Sequence, residues 1–379
     1  MKILFAHILI ILLLISCIEK KEQNEALDGV MSVEELVIPE SDVLNLKSYF
    51  LTASYKKQLY GYNRKEHTLD NFDLRSLSTR QIQLEPEGPD AIVGDIRALF
   101  VSSPDSIWAC DDALHILLID AQGDVRRSLN ISDYLHEGES PVIERNHAMA
   151  TAQFYYDSLK DCLLFGIRYR NDSRSGFMVR EVSLEDGECR DFELSNSLSV
   201  PDVANGIYAN MSKPNITFAK GKIVYNYPVE SHVYVIDTRT AERSVVEADS
   251  RYSWNVAGKC RDMSDYNEWD RHGIENPHFF EVMYMSDLNM YARLHLCEHE
   301  LSAESDLTKV NDDMDLCLTL FDDDFQVLHE VKLPPHRYSY YTGWCAFSDG
   351  FCIFVDNSLY DATKSEELVL DYYKGIVKE

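Results

Sequence analysis

Carboxylates cluster at Asp111-Asp112, at Asp312-Asp313 with Asp315, and at Asp322-Asp323-Asp324. Brought to one point, such groups hold calcium, and the metal can then polarise a carbonyl. None is spaced as a D-x-[DN]-x-[DN]-G loop, and each falls in or beside an expected turn, so the spacing predicts solvated turns. Cys297 and His299 stand two apart in C-E-H-E, which puts both on one face of a strand, although the stretch reads more simply as a strand end meeting solvent. The segment from Asp249 to Pro277 is richer: Trp254, Tyr266, Trp269, Arg271 and His272 combine flat apolar faces with hydrogen-bond donors. Trp, Tyr and Arg dominate recognition hot spots, and long loops on a rigid scaffold often carry function. These five residues are the candidate binding residues. A further donor group, Arg145-Asn146-His147 with Arg168-Tyr169-Arg170, reads as ordinary loop polarity.

Other chemistries lack their motifs. There is no G-x-S-x-G elbow, no phosphate-binding glycine loop, no H-E-x-x-H and no C-x-x-C. No catalytic residue, metal ligand or cofactor is therefore assigned. The formal charge of -28 argues against nucleic acid, whose phosphates demand clustered Lys and Arg. Adhesion to anionic lipid by charge is excluded on the same ground.

The elements that must position these residues are short apolar runs rich in Tyr, Phe, Val, Ile and Leu, broken by turn signals such as Ala121-Gln122-Gly123-Asp124 and Ser348-Asp349-Gly350. Runs ending in Asp recur at Asp73, Asp120, Asp186, Asp237, Asp322 and Asp371, at intervals of 47, 66, 51, 85 and 49 residues. A four-stranded propeller blade takes about 40–50 residues. Insertions near 131–150 and 249–277 account for the two long intervals. The fold class expected is all-β, a six-bladed β-propeller of four-stranded antiparallel blades. The last repeat lacks a fourth strand, and Val33–Ile38 is the candidate to supply it, pairing the two ends of the chain.

The first residues set the location. Lys2, an apolar run from Ile3 to Ile15 and the sequence L-I-S-C ending at Cys17 have the parts of an export signal. The run is short for a membrane span, which takes about 20 residues. A cysteine at the cut resembles a bacterial lipobox, so residues 1–16 are expected to be removed and Cys17 to carry acyl chains. Residues 17–31 would form a polar tether and 32–379 a single propeller domain. Of the other cysteines, Cys110, Cys162, Cys317 and Cys352 sit in apolar strands as small hydrophobes. Cys345 and Cys352 flank an expected hairpin and are the pair best placed for a disulfide.

The stretch Gln83–Trp108, with the turn Glu87-Gly88-Pro89 and the strand Asp105-Ser106-Ile107-Trp108, resembles the six-bladed propeller lipoproteins of Bacteroidota. More narrowly it is similar to their family known as domain of unknown function 4221. Leu59–Asn63 and the repeat rhythm extend the likeness to most of the chain. The resemblance implies blade architecture and an outer-membrane lipoprotein, facing the periplasm or the surface, and it supplies no catalytic residues. Gly88 is expected to relax a tight turn, and Ile107 and Trp108 to fill the core between blades.

The function expected is a non-catalytic module held in the envelope by lipid at Cys17, binding a protein or glycan through one face of the ring. The alternative is a calcium-dependent ester or lactone hydrolase at the mouth of the central channel, a chemistry that six-bladed propellers also host.

Overall fold

The computed structural model describes residues 27, 29–39, 46–88, 91–146, 150–170, 175–196, 206–302, 305–339, 342–359 and 367–376. Cys17 and the signal segment lie outside them. Six antiparallel sheets form a ring. Blade 1 comprises Thr52–Tyr55, Gln58–Asn63, Thr68–Asp73 and Ser78–Gln83, from the inner to the outer strand. Blade 2 comprises Ile96–Ser103, Ser106–Asp111, His115–Ile119 and Val125–Asn130. Blade 4 (Asn215–Ala219, Lys222–Asn226, Val233–Asp237, Arg243–Val246) and blade 5 (His278–Met285, Met290–Leu296, Leu316–Phe321, Val327–Lys332) repeat the pattern. In blade 6, Trp344–Phe347, Gly350–Phe354 and Leu368–Gly375 are completed by Met31–Ile38. That strand runs antiparallel to Leu368–Gly375, with Met31 opposite Gly375 and Ile38 opposite Leu368.

Each blade is buried on both faces, so its middle strands read as continuous apolar runs. Alternate side chains serve opposite neighbours. Ile107 joins a cluster with Leu69 and Ile82 of blade 1, while Trp108 packs 4.5 Å from the Tyr156 ring toward blade 3. Six such apolar clusters fill the gaps between successive blades. Leu27 and Met31, at the end of the expected tether, are buried in the cluster between blades 5 and 6.

The recurring aspartates have a mechanical role. Oδ1 of Asp73 accepts the Arg75 and Ser76 amides, and Oδ1 of Asp237 accepts those of Arg239 and Thr240. Asp120, Asp186 and Asp322 do the same in their own hairpins. These are Asx turns between the third and outer strands, and the backbone donors hold the Asp73 and Asp237 carboxyls below the usual range. Asp371 differs. It lies inside Leu368–Gly375, whose outer neighbour is the N-terminal strand rather than the far arm of a hairpin, and it accepts Arg337 Nη2 at 2.6 Å and the Tyr338 hydroxyl. Arg337 Nη2 also reaches Glu35 Oε2 at 2.6 Å, tying the N-terminal strand into blade 6.

Blade 3 departs from the pattern. Its inner strand is split into Glu139–Val142 and Tyr155–Asp157, both paired to Cys162–Arg170; Ser175–Ser183 and Cys189–Leu194 follow. Between the two halves the chain forms a small hairpin, Glu144–Asn146 with Ala150–Ala152, which adds to the inner strand of blade 4 at Ala152 and Ile216. This is the first expected insertion, and it carries Arg145 to the inner strands of other blades. Arg145 Nη1 donates to the Thr52 carbonyl (3.1 Å), and Nη2 to the Trp344 carbonyl (2.6 Å) and Glu281 Oε1 (3.3 Å). Trp344 Nε1 donates to the same Glu281 oxygen at 2.8 Å. One guanidinium thus joins the inner strands of blades 1, 5 and 6.

Cys345 and Cys352 face each other across the blade 6 hairpin, as expected, but remain free thiols. Both pack as small apolar groups in the cluster between blades 6 and 1. No disulfide joins cysteines among the described residues.

Two predictions follow from this packing. Arg337→Met removes the partner of a buried carboxylate and is expected to cost about 3–5 kcal/mol in urea unfolding, with an unchanged denaturant slope. His278, fully buried on the inner strand of blade 5, has its imidazole pushed down to about 3 by desolvation and then by His272. Its unfolded value is about 6.5. Between these values the unfolded chain binds more protons, so this contribution to stability is complete above pH 6.5 and is lost as pH falls toward 3, by at most about 1.4 kcal/mol per pH unit. His278→Phe is expected to flatten the fall in melting temperature between pH 7 and pH 5; an unaltered fall would exclude His278 as its source.

Candidate functional site

Strand alternation sorts the connections. The tight turns lie on one face of the ring, including 56–57, 220–221 and 348–349. The connections between blades, and those between second and third strands, emerge on the other face. The longest of them, 247–277, was expected to be a loop, but it contains the helix Tyr266–Glu275. Asp265 caps it, its Oδ1 accepting the Asn267 amide at 2.9 Å, with Glu268 in the first turn. Pro277 stands just past the other end. The D-Y-N-E capping pattern was the legible signal.

The helix is docked through its inner side. His272 is 5% exposed, and its Nε2 lies 2.6 Å from the Gly258 carbonyl; burial lowers its pKa. Asn276 donates to the His272 carbonyl at 2.9 Å and accepts the Gly258 amide at 2.7 Å. His299 donates its amide to the Ile274 carbonyl at 2.9 Å, and Trp254 donates its amide to Glu298 Oε2 at 3.1 Å. The insertion and the segment that follows the second strand of blade 5 therefore enclose a cleft of about 710 Å³. It is lined by Trp254, Lys259, Arg261, Glu268, His272, Glu275, Asn276, Glu298, His299 and Glu300, among others.

The five candidate residues separate in space. Trp254, 61% exposed, and His272 line the cleft. Tyr266 and Trp269 pack on each other at 5.9 Å on another side of the helix; Tyr266 is exposed, and Trp269 Nε1 donates to the Met263 carbonyl. Arg271 lies between Glu268 (3.6 Å) and Glu275 (3.5 Å), and Arg261 reaches Glu275 at 2.9 Å. The cleft thus offers one bare indole face beside carboxylates that are partly neutralised. Sequence reasoning missed Glu268, Glu275, Asn276 and Glu298. The capping pattern marks Glu268 as a helix-start residue only, and the docking of the helix against the segment that carries Glu298 brings the four together.

The other groups take separate places. Arg145 crosses the ring axis, while Tyr169 and Arg170 line a second cleft of about 540 Å³ with Arg180 and Glu139; His147 is outside the described residues. Asp111 is buried and accepts the Val93 and His115 amides, so it is a structural carboxylate and not a solvated turn. Asp112 pairs with Arg97 at 2.7 Å and Asp323 with Lys220 at 2.7 Å. Cys297 and His299 part company, because the strand ends at Leu296: Cys297 is buried while His299 lines the cleft.

Comparison with known proteins agrees with this architecture. The family described as domain of unknown function DUF4221 matches residues 28–332. A crystal structure of a DUF4221 family member from Bacteroides vulgatus is similar with a TM-score of 0.71 at 16% identity, covering 92% of this chain and 99% of that one. A protein of Bacteroides fragilis inferred to be exported is similar with a TM-score of 0.53 at 13% identity, covering 92% and 96%. No curated protein sequence matches. With the family match spanning most of its length and six blades closed by its own N-terminal strand, the chain belongs to the DUF4221 family.

Proposed function

We propose that the protein is a non-catalytic binding module of the cell envelope, anchored by lipid at Cys17, that takes a glycan into the cleft beside Trp254. The observation that carries this reading is the exposure of Trp254, 61%, at the edge of a cleft rich in carboxylates. An exposed indole is a stacking surface for the apolar face of a sugar ring, and the Glu298 and Glu275 carboxylates are acceptors for its hydroxyls. The backbone beneath is held by Asn276 and His272, so little ordering remains to be done on binding.

Orientation supports the reading. Met31 pairs with Gly375, whose amide donates to Asp349 in a tight turn, so the N-terminal strand starts on the tight-turn face. An anchor at Cys17 would then approach from that side and leave the cleft, on the opposite face, pointing away from the bilayer. The resemblance to a Bacteroides protein inferred to be exported supports an envelope location. The calcium-dependent hydrolase reading meets an obstacle at the axis. A divalent cation there would lie beside the Arg145 guanidinium, which already pairs with the buried Glu281.

Trp254→Ala is expected to abolish binding in a glycan array and in fluorescence titration, while changing stability by no more than about 0.5 kcal/mol. Full binding by the variant would exclude this cleft. Cys17→Ser is expected to move the protein from the membrane to the soluble envelope fraction; continued membrane partitioning would remove lipid as the anchor.

A further inference from the structure

The gap between blades 4 and 5 changes character along its length. Toward the tight turns it is apolar, with Tyr291 and Phe321 in the shared cluster. Toward the long connections the same faces become polar: Arg293, His295 and Cys297 follow Tyr291 at alternate positions, and Thr319 and Cys317 oppose Arg293 and His295. All of these are buried.

At the end of this polar stripe, three donors converge. A ring nitrogen of His295 and the sulfurs of Cys297 and Cys317 lie within 4.8 Å of one another. The two sulfurs are 3.5 Å apart. Two thiolates at about 2.3 Å from one tetrahedral zinc stand about 3.8 Å apart, so these sulfurs need to move by only a few tenths of an ångström. A disulfide at about 2.05 Å would need a far larger shift across the ladder. Nε2 of His295 lies 3.1 Å from Ser250 Oγ and 3.9 Å from Glu330 Oε1, while Nδ1 is buried with no hydrogen-bond partner among the described residues. An outer partner on one ring nitrogen and a free second nitrogen is how a ligating imidazole is oriented.

We propose that His295, Cys297 and Cys317 form a buried zinc site that locks blade 5 against the root of the 249–277 insertion. Binding displaces the two thiol protons, and Zn²⁺ with two thiolates and a neutral imidazole sums to zero charge, the balance a dry site requires. Soft sulfur donors select zinc over calcium or magnesium. Three protein donors leave the fourth tetrahedral position to a water, and Thr319 Oγ1, two positions from Cys317, is buried without a partner among the described residues. The link from His295 through Ser250 connects the metal to the loop that carries Trp254.

The test is elemental analysis of the full protein, purified under reducing conditions and loaded with zinc chloride. About one zinc per chain is expected, with a lower melting temperature after chelation. Cys297→Ser and Cys317→Ser are expected to lose the metal, while Cys189→Ser, an exposed control, keeps it. Cobalt exchanged into the unmutated protein should give thiolate charge-transfer bands and tetrahedral ligand-field bands, which decides the matter even if the serine variants do not fold. Fully reduced thiols with no bound metal would overturn the site. So would an intact mass two hydrogens lighter with Cys297 and Cys317 joined in one cross-linked peptide.

Discussion

Closure of the ring is the constraint on which the rest depends. A blade buried on both faces has no stable existence without a neighbour on each side, and an open ring would expose two apolar faces and an unpaired edge. The N-terminal strand covers that edge by pairing along its full length with Leu368–Gly375 and becomes the outer strand of the blade. Arg337 reinforces the seam by donating to both Asp371 and Glu35, which face each other across the two strands. A buried ion pair is weak evidence for net stability, but it fixes which strands belong together. Here it specifies that the last blade is finished by the first strand.

Much of this architecture was legible in the sequence because the turn chemistry repeats. Five of the six recurring aspartates accept backbone amides in the hairpin between the third and outer strands, which ties their spacing to blade length. Asp371 kept the rhythm for a different reason, as the partner of a buried arginine. The two-sided burial of middle strands explains why Ser106–Asp111 and Gly350–Phe354 read as unbroken apolar runs. The departures have equally local causes. The helix Tyr266–Glu275 is polar on most sides and only ten residues long, so its period is weak, although its cap was written in Asp265 and Glu268. The divided inner strand of blade 3 left no mark, since Glu139–Val142 and Tyr155–Asp157 are each too short to alternate visibly.

The site is legible only in part, because it is assembled from distant segments. Trp254 and the carboxylates around it meet where the insertion folds back on the segment after the second strand of blade 5, so the cleft depends on the backbone bonds made at Gly258, Asn276 and Ile274. His272 shows the difference between residue type and residue role. Its imidazole is committed to a backbone carbonyl under the helix and serves the frame. The conjunction of Cys297 with Cys317 was equally hidden, since Cys297's apparent companion was His299.

The hairpin at the axis bears on how the molecule comes together. Arg145 bonds to groups 93, 136 and 199 positions along the chain, on blades laid down at both extremes of synthesis. Such contacts repay their loop-closure entropy only after most of the circle exists. The guanidinium then acts as a keystone, set last and bearing on several voussoirs at once. A nascent circle short of its sixth segment would leave this cation in a half-built hub, without the Trp344 carbonyl that receives it in the finished one.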